Sequence, residues 1–487
     1  MKLETNLPVA VIGAGPVGLA AAAHLVSRGL TPIVFERGAS VGASLLDWGH
    51  VRVFSPWEYN VDGAARSLLE AAGWDAPELT ELPTGRQIVE QYLEPLAGLP
   101  TLAPCIKLSA RVTAITRVGL DKVSNRDRER APFEVRWTDA NGNEQATVVR
   151  AVIDASGTWK RPNPMGVDGL PVLGERAAAD FIDYGIPDVL GGSRESYANK
   201  TVLVVGSGHS AINIALALLS LQDQEPGTRV LWALRRNRIE RLLGGGLNDQ
   251  LPERGALGLA AKKAIDTGRL QVLAPFAATR LEKADGRVAV VGTLNQTQTT
   301  LMVDRIVVAT GFRPDLDMLS ELRVSVDPAT EAPPALSPLI DPNFHSCGTV
   351  PPHGVVELTQ PEANFFIIGS KSYGRAPTFL MATGFEQARS VVAELAGDHV
   401  AAREVHLALP ETGVCSVSFG DGSSPAASSC CGTPAPVTGS SCCGGPATST
   451  SSCCAADEVT KAEGEAGCGC ATGATPDRTT INEAEPA

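Results

Sequence analysis

No run of about 18 uninterrupted apolar residues occurs in the 487-residue chain, so no membrane-crossing helix is expected. Positive charge is in deficit as well. The net charge of −13 repels phosphate backbones and anionic lipid headgroups, so neither nucleic acid nor membrane is an expected partner. The opening stretch, Met1-Lys2-Leu3-Glu4-Thr5-Asn6, leads directly into an apolar strand and lacks the small-residue cleavage site of a signal peptide. A cytoplasmic location is expected. Cysteine is nearly missing from the first 414 residues, where only Cys105 and Cys347 occur among the eleven of the chain. In a cytosolic protein these are expected as thiols rather than structural disulfides.

What is present is a strand–loop–helix pattern, found twice. Pro8–Ile12 is an apolar strand, followed by Gly13-Ala14-Gly15-Pro16-Val17-Gly18 and a helix over Leu19–Arg28. Gly13 permits the tight turn, Gly15 lets the backbone approach a pyrophosphate, and Gly18 lets the helix pack close to the strand. Phosphates then sit on the helix N-terminus, where unpaired N–H groups and the dipole attract them. The next strand, Pro32–Phe35, ends at Glu36, placed to accept hydrogen bonds from a ribose.

The second pattern begins at Thr201–Val205 and continues through Gly206-Ser207-Gly208-His209-Ser210-Ala211. Ala211 takes the place of the third glycine, as the fingerprint tolerates. The following strand ends in Arg235 and Arg236 instead of an acid. Arginine there suits a 2′-phosphate, which indicates NADPH. One charge-assisted hydrogen bond of this kind is worth about 1.5–3 kcal/mol.

The two loops, the segments Asp154-Ala155-Ser156-Gly157 and Ala309-Thr310-Gly311, and the run Gly311-Phe312-Arg313-Pro314-Asp315 resemble the two-dinucleotide-binding-domain flavoproteins. That superfamily includes flavin-containing monooxygenases, thioredoxin reductases and glutathione-reductase-like enzymes. The resemblance implies FAD on the first loop and NADPH on the second. The expected fold is α/β: an FAD-binding Rossmann-like domain over 1–165 and 305–410, interrupted by an NADPH-binding Rossmann-like domain over 166–304. Within the superfamily, Ala155–Trp159 followed by Pro162-Asn163 is most similar to the flavin monooxygenase branch. Where most relatives have Gly-Asp, the chain has Gly369-Ser370, and Ser370 is a weaker partner for ribityl or phosphate. The helix entered through Pro377 and Thr378 is implied to point its N-terminus at the flavin, where its dipole favours an anionic reduced form. Lys371 or Arg375 can add to that effect or be solvated loop charges.

The disulfide reductases of this superfamily carry a redox dithiol beside the flavin. Residues 37–60 and 106–346 hold no cysteine, which disfavours that reaction and leaves oxygen or another small oxidant. The segment from Asp47 to Trp57 is expected near the isoalloxazine, with Trp48, Phe54 and Trp57 excluding water and His50 and Arg52 as candidates to bind substrate or guide a proton. Cys347 lies between His345 and His353, either of which can lower a thiol pKa, so Cys347 is a candidate nucleophile or ligand.

Beyond Ser416 the composition becomes Ser, Gly, Ala, Thr, Pro and Cys, without Leu, Trp or Tyr. Such a segment cannot offset the entropy of ordering its backbone, so 411–487 is expected to be a disordered tail. It carries the pairs Cys430-Cys431, Cys442-Cys443 and Cys453-Cys454 at steps of 12 and 11 residues, with Cys415 at its head. Adjacent cysteines rarely bond to each other, but as thiolates they chelate soft ions. As(III), Hg(II), Cu(I) and Zn(II) are candidates. The tail resembles those of bacterial arsenic-resistance proteins, and the core resembles flavoproteins encoded with such systems. That implies a trivalent arsenical as the small-molecule substrate, with oxygen as co-substrate. A flavin reductase using the tail cysteines as its dithiol, and a non-enzymatic metal binder, are the alternatives. A homodimer is one assembly the sequence leaves open.

Overall fold

A computed structural model describes residues 7–237, 252–344, 350–376 and 380–407. The strand β1 (Val9–Ile12) is buried along its whole length, as a strand must be when both faces of a parallel sheet are covered. The helix α1 (Pro16–Ser27) carries it back, and β2 (Pro32–Phe35) pairs parallel to it. Completing this sheet are β3 (Ile106–Lys107), β7 (Ala151–Asp154) and, from the far end of the chain, β16 (Phe365–Ile367). The strand order is β16-β7-β1-β2-β3. Between β3 and β7 the chain makes an antiparallel sheet of β4 (Arg111–Arg117), β5 (Phe133–Thr138) and β6 (Glu144–Val149).

The alternation of side chains along a strand divides the core in two. Val9 and Val11 face α1 and the late helix Met381–Leu395, whereas Ala10 and Ile12 face Ile115, Phe133 and Val135 of the antiparallel sheet. Thus one face of the first parallel sheet carries helices and the other carries three antiparallel strands.

The second sheet repeats this plan. Its strands are β8 (Ile182–Tyr184), β9 (Thr201–Val205), β10 (Arg229–Ala233), β11 (Gln271–Leu273) and β15 (Arg305–Val308), in the order β11-β10-β9-β15-β8. Val202 and Val204 pack toward the helix His209–Gln224. Leu203 packs the other way, toward Phe276, Val288 and Val290 of the antiparallel sheet β12 (Phe276–Ala284), β13 (Arg287–Leu294) and β14 (Thr297–Val303). Read from the opposite edge, the order β8-β15-β9-β10-β11 matches β16-β7-β1-β2-β3 position for position.

One expected boundary moves. The break between residues 304 and 305 would assign β15 to the first unit, but β15 pairs with β9 and β8 throughout. Its carbonyls and amides are therefore satisfied within the second sheet, which extends to Val308. The connection back into the first unit begins after it. There the outgoing segment Arg161–Asn163 and the returning segment Gly311–Arg313 lie side by side. Asn163 N–H donates to the Gly311 carbonyl at 2.9 Å, and Arg313 N–H to that of Arg161 at 3.0 Å.

Candidate functional site

Each parallel sheet ends in a glycine loop, and the two loops are built alike. Gly13 has φ +101°, and a Cβ on it would lie 2.8 Å from the Ala155 carbonyl oxygen. The same construction on Gly18 would meet the Gly13 carbonyl oxygen at 2.0 Å. By contrast, a Cβ on Gly15 meets nothing within 4 Å. Gly15 caps α1 without any side-chain hydrogen bond to the first-turn amides, which leaves these donors for an anion. In the second loop Gly206 is pressed against the Ala309 carbonyl, Gly208 is open on its Cβ side, and Ala211 is buried at the helix start. The helix after Gly208 likewise has no side-chain cap. The segments after β7 and β15 therefore form the floors beneath their respective loops. Both cradles fit a dinucleotide pyrophosphate: small residues where the chain is crowded, open space where a ligand must approach.

Glu36 is 8% exposed and accepts from Ala14 N–H at 2.8 Å and Gly38 N–H at 2.7 Å, one bond to each oxygen. A carboxylate has about four lone-pair sites, so both oxygens keep capacity for a ribose. At the corresponding position of the second sheet, Arg235 and Arg236 are exposed just past β10. Desolvation, reinforced by the charge on Arg236, holds the Arg235 guanidinium below its ordinary pKa. Two adjacent cations of this kind suit a phosphate.

Gly157 (φ +69°) and Gly369 (φ +71°) bring the floor and the closing loop together: a Cβ on Gly157 would stand 3.5 Å from Ser370 Oγ, and one on Gly369 3.4 Å from Val17 in the first turn of α1. Gly311 (φ +92°) sits in the connector beside Asn163. Lys371 is neither a solvated loop charge nor a free cation. It is 1% exposed and its Nζ lies 2.7 Å from Asp154 Oδ2.

One expected placement differs. Trp57 is a core residue, 2% exposed, and is not a wall around an open site. Trp48 instead leans on Trp159, which stacks at 4.7 Å on Phe312 and donates its indole N–H to Asp47. Phe54 meets His209, the first residue of the second glycine helix, edge to face at 5.2 Å. His50 is exposed; what burial it has lowers its pKa, against the opposing pull of Asp188. Arg52 donates to the Leu82 carbonyl.

His353, one of the two histidines expected beside Cys347, has a partner on each ring nitrogen. It is buried, its Nδ1 lies 3.0 Å from the Pro351 carbonyl, and its Nε2 lies 2.9 Å from Gln387 Nε2. With Nδ1 donating, Nε2 accepts from the Gln387 amide and the imidazole is neutral. Gln387 Oε1 in turn accepts from Gly369 N–H at 2.7 Å. Cys347, Thr378, Cys415 and the three cysteine pairs of the tail lie outside the described residues, among which Cys105 is the one cysteine. Among the described residues no group of three or more His, Cys, Asp or Glu is arranged to hold a metal, and no helix is long and apolar enough to cross a membrane.

Residues 10–338 match the family model for pyridine nucleotide-disulphide oxidoreductases. The flavin-containing monooxygenase UstF1 of Aspergillus flavus is 26% identical over 244 residues, 47% of this chain and 53% of that protein. The chain thus spans about half the length of this relative. A ferredoxin–NADP reductase of Lactiplantibacillus plantarum is 25% identical over 332 residues, covering 66% of this chain and 78% of the relative. In fold, a bacillithiol disulfide reductase of Bacillus cereus superposes with a TM-score of 0.58 at 20% identity, over 80% of this chain and 99% of that one.

Proposed function

Because the chain belongs to the pyridine nucleotide-disulphide oxidoreductase family and FAD and NADPH are its cofactors, we propose that it is a flavin monooxygenase acting on a trivalent arsenical or similar thiophilic substrate. The first loop, with Gly13, Gly15, Gly18, Glu36, Gly157, Gly369 and Ser370, is the FAD site of this reading. The second loop, with Gly206, Gly208, Ala211, Arg235 and Arg236, is its NADPH site, and Gly311 turns the connector between them. Bound FAD supplies the two-electron chemistry that joins NADPH oxidation to oxygen reduction.

The observation that carries the reading is the lack of a dithiol in the segments where the disulfide reductases of this superfamily carry one. Residues 37–60 and 106–346 contain no cysteine, and Cys105, at the entrance to β3, has a thiol pKa raised by burial. A protonated thiol is a poor nucleophile. The reaction balances with oxygen as oxidant: an arsenical R–As(OH)2, O2, NADPH and a proton give R–AsO(OH)2, NADP+ and water. The arsenic lone pair takes one oxygen atom, the other leaves as water, and NADPH provides two electrons. The protein's part is to hold both nucleotides and to exclude water around Trp48, Trp159 and Phe312. His50, its pKa lowered by burial, accepts a proton on this loop, while Arg52 anchors the loop through the Leu82 carbonyl. The cysteine pairs, with Cys415 and Cys347, capture the soft substrate in the cytoplasm and present it.

The test is NADPH oxidation and oxygen uptake by the full chain with and without methylarsenite. Equal stimulation of both supports a monooxygenase. Stimulated NADPH oxidation without oxygen uptake, abolished by Cys→Ser changes at the three pairs, would establish a thiol-dependent reductase instead.

A further inference from the structure

Beneath the first loop lies a charged pair that the reading above leaves without a task. Asp154 ends β7 with no exposure, and Lys371, 217 residues later, is almost as deeply buried. The ammonium donates to Asp154 Oδ2 at 2.7 Å and to Ser156 Oγ at 3.1 Å. Asp154 Oδ1 accepts from both the N–H of Ser156, at 3.1 Å, and its hydroxyl, at 2.7 Å. Lys371, Asp154 and Ser156 therefore close a small ring of hydrogen bonds.

Its position makes it more than a strut. Ser156 Cα lies 3.1 Å from where a Cβ on Gly13 would be, so the residue held by the ring is the floor of the first glycine loop. The adjoining Gly157 faces Ser370, the neighbour of Lys371. The strands behind them are already joined, with Ile368 N–H donating to the Asp154 carbonyl at 2.9 Å. What the strands do not hold is the pair of loops leaving their C-terminal ends. An isolated buried charge is costly, and a pair with satisfied neighbours is retained where geometry matters.

We propose that the Lys371–Asp154 pair is a positioning element of the FAD site, tying the Gly369–Ser370 loop to the Ser156–Gly157 floor while its two charges offset each other beside the cofactor. This rests on the assignment of FAD to the first loop. Neither residue touches the reacting atoms. Each sets the walls between which the cofactor lies, and neither charge acts on the flavin unopposed.

The experiment measures FAD dissociation constant, thermal stability and flavin midpoint potential for Lys371→Met, Asp154→Asn, Lys371→Arg and the Lys371→Met/Asp154→Asn double variant. Each neutralising single change weakens FAD binding by about tenfold or more, the equivalent of one charged hydrogen bond. Lys371→Arg keeps the charge and recovers most of the affinity. The potentials move in opposite directions. An unopposed Asp154 disfavours the electron-rich reduced cofactor and shifts the potential negative, while an unopposed Lys371 shifts it positive. The double variant, with no stranded charge, folds, has a potential near the starting value and still binds FAD weakly. Wild-type affinity in the double variant overturns the proposal, as does a loss of stability in the single variants without opposed potential shifts. Glu36→Ala, measured in parallel, separates the two assignments: weakened binding there alone overturns the clamp, and unchanged binding in every variant overturns both.

Discussion

A side chain on Gly206 would meet the carbonyl oxygen of Ala309 at 2.2 Å, whereas one on Gly208, two residues on, would meet nothing within 4 Å. Gly206 also holds φ +138°, a conformation that L side chains rarely adopt. The two glycines should fail in different ways. Gly206→Ala forces the loop off its floor and lowers thermal stability together with NADPH binding. Gly208→Ala leaves the melting temperature within about 2 °C, as an unstrained surface change does, yet raises the KM for NADPH by about tenfold or more by filling the space a pyrophosphate needs. Thermal melts beside NADPH titrations distinguish the two.

Arg235 and Arg236 should decide between the two nicotinamide cofactors. Replacing either by alanine weakens NADPH binding by about ten- to a hundredfold and leaves NADH binding nearly unchanged, because only NADPH carries the 2′-phosphate. Comparing kcat/KM for both cofactors reads this directly. Equal losses for both would remove the arginines from phosphate recognition.

His353 should make stability fall with acid. Burial holds its pKa below the ordinary 6.5, so the unfolded chain takes up a proton that the folded chain refuses. Its contribution is fully present above pH 6.5 and is lost as pH falls from there toward the folded value. Urea unfolding between about pH 7 and 5 should show this slope, and His353→Gln should flatten it. Because Gln387 links His353 to Gly369, FAD affinity of the folded protein should hold over that interval and weaken only as pH falls through the folded value.

Glu362 anchors a second buried ionic group, accepting from Arg117 at 2.8 Å and Arg128 at 2.7 Å, all three at most 4% exposed. Glu362→Gln strands two guanidiniums and should cost about 3–5 kcal/mol, the usual result of breaking a buried pair from one side. This group fastens β4 and its hairpin to the chain before β16, away from both glycine loops. FAD affinity, measured on the folded fraction, should therefore change little.

Much of this architecture is legible from local pattern. The spacing of Gly13, Gly15 and Gly18, an apolar strand on either side and Glu36 at the end of the second one specify a βα turn, because each requirement acts within a few dozen residues. The small segments Ala155–Gly157 and Ala309–Gly311 reveal themselves in the same way, as chain that must pass beneath a loop. Long-range pairing is not written so plainly. β15 reads as the start of a returning domain until its hydrogen bonds to β9 are seen. Trp57 reads as a wall residue in a polar, aromatic loop, but its ring is core. Lys371 looks like a loop lysine, since nothing nearby in sequence predicts an acid 217 positions away. One signal could have pointed to it: Asp154 closes an otherwise apolar strand, and a carboxylate in that place requires a cation.

The paired connectors carry a mechanical consequence. A domain hung on one strand can swing, drift and turn. Here Arg161–Asn163 and Gly311–Arg313 run as a two-ply ribbon stitched by backbone hydrogen bonds, with Phe312 seated against Trp159. Such a ribbon resists stretching and bending in its own plane but twists about its length. Rotation is then the cheap motion, and translation the costly one. A ligand bound at the second loop would then be carried along an arc set by the ribbon.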